Sequence, residues 1–240
     1  MYIKLKELDP RLRFINLLIG EEYHSNLFSS NVYQIGNNDI TLVDAGDGCK
    51  SNNVLIALQK LNLDVENITN VIVTHSHDDH WGGLVDLLQV IPLNILVYKD
   101  DVEYFIEQLN LIETNQNYEI VGLDDGDIIK TEGYKLRVIY TPGHDSGSIC
   151  LYDEECKILF SGDTVFATGT TGSARSGSID ELKKSLKRLT TIDIEFLLPG
   201  HGDIAYKNAN DAIRLALQRL NLTDVHKNNN LRTWMRHLRR

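Results

Sequence analysis

The sequence predicts an α/β fold in which β-sheets are layered with helices outside. Three observations predict it. Apolar strands and helices of 3.6-residue period alternate along the first half of the chain. Strands dominate from residue 128 to residue 160, and helices return after them. The 240 residues, 42% of them hydrophobic, suffice to bury a large core. No fixed-period repeat, Pro/Gly/Ser-rich linker or charge block divides the chain, so residues 1–240 are expected to form one domain.

Asn31 to Asp44 reads as a hairpin, with strands Val32–Ile35 and Ile40–Val43 about a turn at Gly36-Asn37-Asn38. Asn53 to Leu63 carries apolar residues at helical spacing (Val54, Leu55, Leu58, Leu61). Val71-Ile72-Val73 is an apolar strand. Leu84 to Ile91 predicts a helix, Ile95 to Tyr98 a strand and Asp101 to Leu111 another helix. Strands follow at Ile128-Ile129, Leu136 to Tyr140, Ile149 to Tyr152 and Ile158 to Phe160, with Gly126 and Gly133 punctuating the turns. Ile179 to Leu189 is an amphipathic helix and Phe196 to Leu198 a last strand. Asn210 to Leu220 and Leu231 to Arg240 read as helices, and a short basic helical tail is expected from about residue 222.

The 34 acidic residues outnumber the 24 Lys and Arg, for a formal net charge of −10. That balance excludes a protein held to nucleic acid by bulk charge, because phosphate neutralisation needs excess cations. No apolar run approaches the roughly 20 residues that span a bilayer. Met1 to Pro10 lacks the apolar core of a signal peptide. Cys49, Cys150 and Cys156 are an odd set without C-x-x-C spacing, which argues against a disulfide framework and for a reducing cytoplasm. A small-molecule substrate is expected, with no nucleic-acid or membrane partner; a homodimer is the common default.

The strongest chemical signal is His75-Ser76-His77-Asp78-Asp79-His80. It follows the apolar strand and precedes Gly82-Gly83. Neutral imidazoles and carboxylates are the usual protein ligands of zinc, iron and manganese, and a strand-to-helix loop presents them from a rigid base. Thr141-Pro142-Gly143-His144 and Leu198-Pro199-Gly200-His201 repeat one pattern: apolar strand, Pro-Gly turn, His. Asp44 and Asp163 also end strands. Five strand ends therefore offer His or Asp, and their clustering would build a metal site from distant parts of the chain.

His75-x-His77-x-Asp79-His80, with Asp44, His144, Asp163 and His201 in order, resembles the metallo-β-lactamase fold superfamily. The resemblance implies a four-layer αββα sandwich: two mixed sheets face to face, one from each half of the chain, with the site at one edge. It implies that His75, His77 and His144 bind one divalent metal and Asp79, His80 and His201 a second. Asp163 would bridge them. Asp44 would orient ligands through hydrogen bonds, and Asp79 and Asp44 are the carboxylates given catalytic parts. Zinc is the first expectation, with iron or manganese acceptable to the same donors. A hydroxide bridging two such cations would attack an ester-like bond. Trp81 is expected either to wall the site or simply to pack.

Ser161-Gly162-Asp163-Thr164-Val165-Phe166 and Leu198-Pro199-Gly200-His201-Gly202 resemble hydroxyacylglutathione hydrolase (glyoxalase II) and related thioester hydrolases. Those relatives commonly carry Gly-Arg-x-Asp where this chain has Gly172-Ser173-Ala174-Arg175. Glyoxalase II also carries a sizeable helical extension for glutathione, and only 39 residues follow His201. The basic stretch Lys227 to Arg240 would dock an anionic substrate tail, cap the groove or form a solvated helix. Three alternatives stand beside the thioesterase. One is a persulfide dioxygenase with one iron on His75, His144 and Asp163. Another is an acyl homoserine lactonase, for which Phe166 replaces an expected Tyr. The last is a non-catalytic metal-binding module.

Overall fold

The computed structural model describes residues 3–19, 29–48 and 54–222. The first sheet has seven strands in chain order: β1 (Ile3–Lys4), β2 (Ile15–Ile19), β3 (Val32–Ile35), β4 (Ile40–Val43), β5 (Ile68–Ile72), β6 (Leu93–Tyr98) and β7 (Tyr118–Leu123). β1 to β4 pair antiparallel, and β4 to β7 pair parallel. The helical crossovers needed between those parallel strands are α1 (Val54–Lys60), α2 (Asp78–Trp81) with α3 (Leu84–Leu87), and α4 (Val102–Asn110). The second sheet holds β8 (Ile128–Thr131), β9 (Tyr134–Tyr140), β10 (Ile149–Asp153), β11 (Ile158–Gly162), β12 (Phe196–Pro199) and β13 (Ala205–Tyr206). Its parallel pair, β11 with β12, is joined through α5 (Ile179–Leu189). A final described helix, α6, covers residues 209–222. Each half of the chain thus supplies one sheet, as the motifs led us to expect.

Three apolar clusters fill the three interfaces of four layers. One lies between the first sheet and its helices, with Leu42, Val71 and Ile95 against Leu58, Leu84 and Phe105. The second lies between the sheets, with Tyr33, Val43 and Ile72 against Val138, Leu151 and Phe160. The third joins Ile139, Leu159 and Leu197 to Leu182, Leu186 and Ile213. Period-two alternation sorts successive residues between clusters: Ile158 and Phe160 face the central layer, and Leu159 faces α5 and α6. Strands buried on both faces therefore read as continuous apolar runs.

Several expectations are corrected in length. The helix expected over Leu84 to Ile91 stops at Leu87. The Leu88 carbonyl instead accepts from Asn115 and Gln116, and Pro92 follows. β5 runs from Ile68, three residues before the apolar triplet, to Ile72, one residue short of its end; the polar Thr69 and Asn70 hide the start in the sequence. β1, β2, β7 and β13 are strands that the patterning did not signal. The helix expected over Leu231 to Arg240, the basic tail from Lys227 and Cys49 lie outside the described residues. Among the described residues, Cys150 and Cys156 are free thiols, and no helix is long and apolar enough to cross a membrane.

Candidate metal centre

The site lies at the sheet edge where β4, β5, β9, β11 and β12 end. Ile149 N–H donates to the Thr74 carbonyl (2.9 Å), which ties the two sheets together at this edge. The strand ends deliver Asp44, the loop 74–80, His144, Asp163 and His201 into one place, so all seven expected ligand positions meet.

They meet as two groups. His75 Nε2 lies 2.9 Å from His77 Nδ1 and 3.2 Å from His144 Nε2, and His144 Nε2 lies 2.9 Å from His77 Nδ1. Three ring nitrogens so close to one another cannot all be satisfied by one another's protons. Their spacing suits donors held about 2.0–2.1 Å from a single cation. In the second group, His201 Nε2 is 3.0 Å from Asp79 Oδ2 and 3.3 Å from His80 Nε2. Asp163 sits between them. Its Oδ1 is 3.5 Å from His80 Nε2 and its Oδ2 is 3.5 Å from His144 Nε2. Asp163 Oδ1 is buried without a hydrogen-bond partner. A buried orphaned carboxylate oxygen is costly unless a cation or water reaches it. The donor set and that orphan both fit divalent metal.

The groups behind the donors fix their tautomers. His80 Nδ1 bonds Asp44 Oδ2 at 2.8 Å, which leaves Nε2 facing the cluster. Asp44 Oδ1 accepts from Thr74 N–H (2.8 Å), and Asp44 itself holds a left-handed φ of 61°. Asp44 thus acts on His80 from behind. His144 Nδ1 donates to the Ser173 carbonyl (2.8 Å), again leaving Nε2 bare. Such outer partners set ring orientation and ligand basicity.

Charge divides the two groups. Burial and the neighbouring imidazoles hold His75 well below the ordinary imidazole value, and burial lowers His77 and His144. Burial also opposes charge on His80, but Asp44 and Asp163 outweigh it and push that imidazole up to about 9. Burial works against the Asp79 carboxylate, yet the hydrogen bond from His201 brings it down to about 2.

Two glycines permit this packing. Gly143, at φ 137°, lies so close to the Leu182 backbone that a Cβ would collide with it. A Cβ at Gly200 would strike Asp163 Oδ1 and His80 Cε1, within the donor cluster itself.

Sequence reasoning missed several groups. Asp145 is 2% exposed, and its carboxylate accepts from Ser76 N (3.1 Å), Ser76 Oγ (2.7 Å), Ser146 N (2.9 Å) and Ser176 Oγ. It joins the loops of His75–His77 and His144 to the segment beyond Ser173. Asn31 N–H donates to the Gly200 carbonyl (2.6 Å), and its side-chain amide donates to Pro199 (3.0 Å) and Gly202 (2.9 Å), so it holds the His201 turn. The signal that could have found them is position: each is a polar residue flanking a strand end that carries chemistry. Trp81 packs in the helical layer edge-on to Phe105, and its Nε1 donates to the Ser76 carbonyl (3.0 Å). It props the loop; the wall beside His77 is formed by Tyr104 and Arg175, in a groove of about 480 Å³.

Comparison with known proteins agrees with this architecture. The profile of the Metallo-beta-lactamase superfamily matches residues 25–201. An atrochrysone carboxyl ACP thioesterase from Aspergillus fumigatus is 28% identical over 82% of this chain and 58% of its own length. The thioesterase pkgB of Emericella nidulans is 30% identical over 74% of this chain and 47% of its own. The chain thus spans about half the length of these curated relatives. Among solved structures, a metallo-beta-lactamase family protein from Thermus thermophilus superposes with a TM-score of 0.68 at 22% identity, covering 94% of this chain and 82% of that one.

Proposed function

The chain belongs to the metallo-β-lactamase superfamily, and from that membership we propose that it is a two-metal hydrolase of small-molecule thioesters. The observation that carries the reading is the pair of converging donor groups with Asp163 between them, its Oδ1 without a hydrogen-bond partner. His75, His77 and His144 would hold one cation, Asp79, His80 and His201 the second, and Asp163 would touch both. Two divalent cations so held would supply a hydroxide near neutral pH and a Lewis-acid contact for the carbonyl oxygen.

The protein's own part is preparation. Asp44 keeps one His80 proton on Nδ1, and the Ser173 carbonyl keeps the His144 proton on Nδ1, so the inward nitrogens are the ones that would face a metal, His144 with its lone pair and His80 once its second proton has left. Thr74 and Asp145 fix the loop that carries His75 and His77. Thioester chemistry is supported by the names of the two fungal relatives and by the sequence resemblance around Asp163 and His201. Those relatives widen the substrate class beyond glutathione thioesters. A single iron on His75, His144 and Asp163 would leave Asp79, His80 and His201 gathered without purpose, which favours two metals.

The test is thiol release from a panel of thioesters by protein stripped with chelator and reloaded with zinc, manganese or iron. The reading predicts no turnover when stripped, recovery on reloading, and no recovery in Asp163→Ala. Turnover indifferent to metal, or cleavage confined to lactones, would contradict it, as would oxygen consumption with one iron per chain.

A further inference from the structure

One charged side chain at the groove has no part in holding the donor groups. Arg175 is exposed on the wall beside His77. Its backbone N–H donates to the His144 carbonyl (2.9 Å). The next residue, Ser176, donates to Asp145 Oδ1 and accepts from Ser146 N–H (3.2 Å). The base of the Arg175 side chain is therefore fixed to the loop that carries His144. Its guanidinium makes no ion pair and no side-chain hydrogen bond among the described residues, and its field reaches His77.

Arg175 is the one Lys or Arg among the described residues lining the groove; the carboxylates there are Asp47, Asp78, Asp79 and Asp145. Asp79 faces His201, and Asp145 is satisfied by its four donors. Guanidinium is a planar fork matched to a carboxylate or phosphate, and it stays charged at every working pH. A cation left without a partner on an anchored stem, next to the reacting centre, is suited to an anion that arrives with the substrate. The exposed Asp78 carboxylate repels an anion from its own side of the groove, which adds direction to the attraction.

We propose that Arg175 is the recognition point for an oxyanion on the substrate, a carboxylate or a phosphate, so that the protein prefers acidic thioesters to neutral ones. The proposal rests on the thioesterase reading and names the substrate class of that same site.

The test uses the metal-loaded protein and three matched thioesters, ending in a carboxylate, a phosphate monoester and a carboxamide. The wild-type chain is expected to favour at least one charged ester over the amide about tenfold or more in kcat/KM, chiefly through KM. The charged ester preferred identifies the anion. Arg175→Ala should erase the preference, Arg175→Lys should keep part of it, and Arg175→Glu should turn it towards the amide. A wild-type chain without preference, or a preference that survives in Arg175→Ala, would overturn the proposal.

A second arm measures binding of non-hydrolysable thioethers with the same three ends by calorimetry. The charged-minus-neutral difference, compared between wild type and Arg175→Ala, cancels the attraction of the metals themselves. Loss of that difference supports Arg175 even when no thioester is turned over. Failure of the thioesterase reading is thereby distinguished from failure of this one. Arg175→Lys carries the comparison if Arg175→Ala does not fold.

Discussion

Asp145 accepts hydrogen bonds from Ser76, Ser146 and Ser176, residues of three separate segments. Asp145→Ala removes the buried acceptor that these donors share and frees the His75–His77 loop from the His144 loop. We expect metal affinity at the first group to fall about 10–100-fold, with kcat falling alongside. Metal titration followed by activity checks it, with Asp145→Asn as the milder variant; unchanged affinity in Asp145→Ala would refute the role. The two groups should also differ in pH dependence. His75, His77 and His144 are lowered and accept a cation without first losing a proton. His80, raised to about 9, is protonated near pH 7 in the metal-free protein and must release that proton. As pH falls from about 8 to about 6, the second metal should leave first, and its uptake at about pH 7.5 should release protons that the first does not. The converging imidazoles and carboxylates were legible in the sequence because three imidazoles in six residues after an apolar strand are a strong chemical signal. Asp145, Thr74, Asn31 and Arg175 were not, because one polar residue at a turn looks the same whether it is solvated or buried.

At the level of elements, the site depends on where strands stop and how the next segment is held. Ser178 caps α5: its Oγ accepts from Glu181 N–H (3.3 Å) and donates to Glu181 Oε2 (2.7 Å). The first turn of that helix packs on Gly143, immediately before His144. Ser178→Ala should lower stability by about 1 kcal/mol, read as a lower denaturant midpoint with an unchanged slope. A change in slope, or none in midpoint, would contradict that account. Strands buried on both faces, β10 to β12, were legible as apolar runs. The edge strands β1, β7 and β13 were less so, since Ile3, Glu119 and Gly122 are exposed there and break the pattern. The short α3 was misread because its end is set by Asn115 and Gln116, distant residues that take the Leu88 carbonyl.

For the whole molecule, the four layers place two parallel strand pairs, β4 with β5 and β11 with β12, at one common edge. Arg11 braces this arrangement from the other end of the chain: its guanidinium holds Asp9 nearby and Glu195, which just precedes β12. Local patterning foresaw layered sheets, and the motif resemblance implied two facing sheets, one from each half of the chain; the order of strands was not legible, because periodicity carries no information about which strands pair. The proposed function rests on that pairing, since it brings residues 126 apart in sequence, from His75 to His201, to one sheet edge. The most direct measurement of the central claim is the number of metal ions per chain, taken by elemental mass spectrometry on untagged protein purified without chelator. The account predicts two, with one lost in His80→Ala while the first group still binds. One ion per chain, unchanged by His80→Ala, would contradict it.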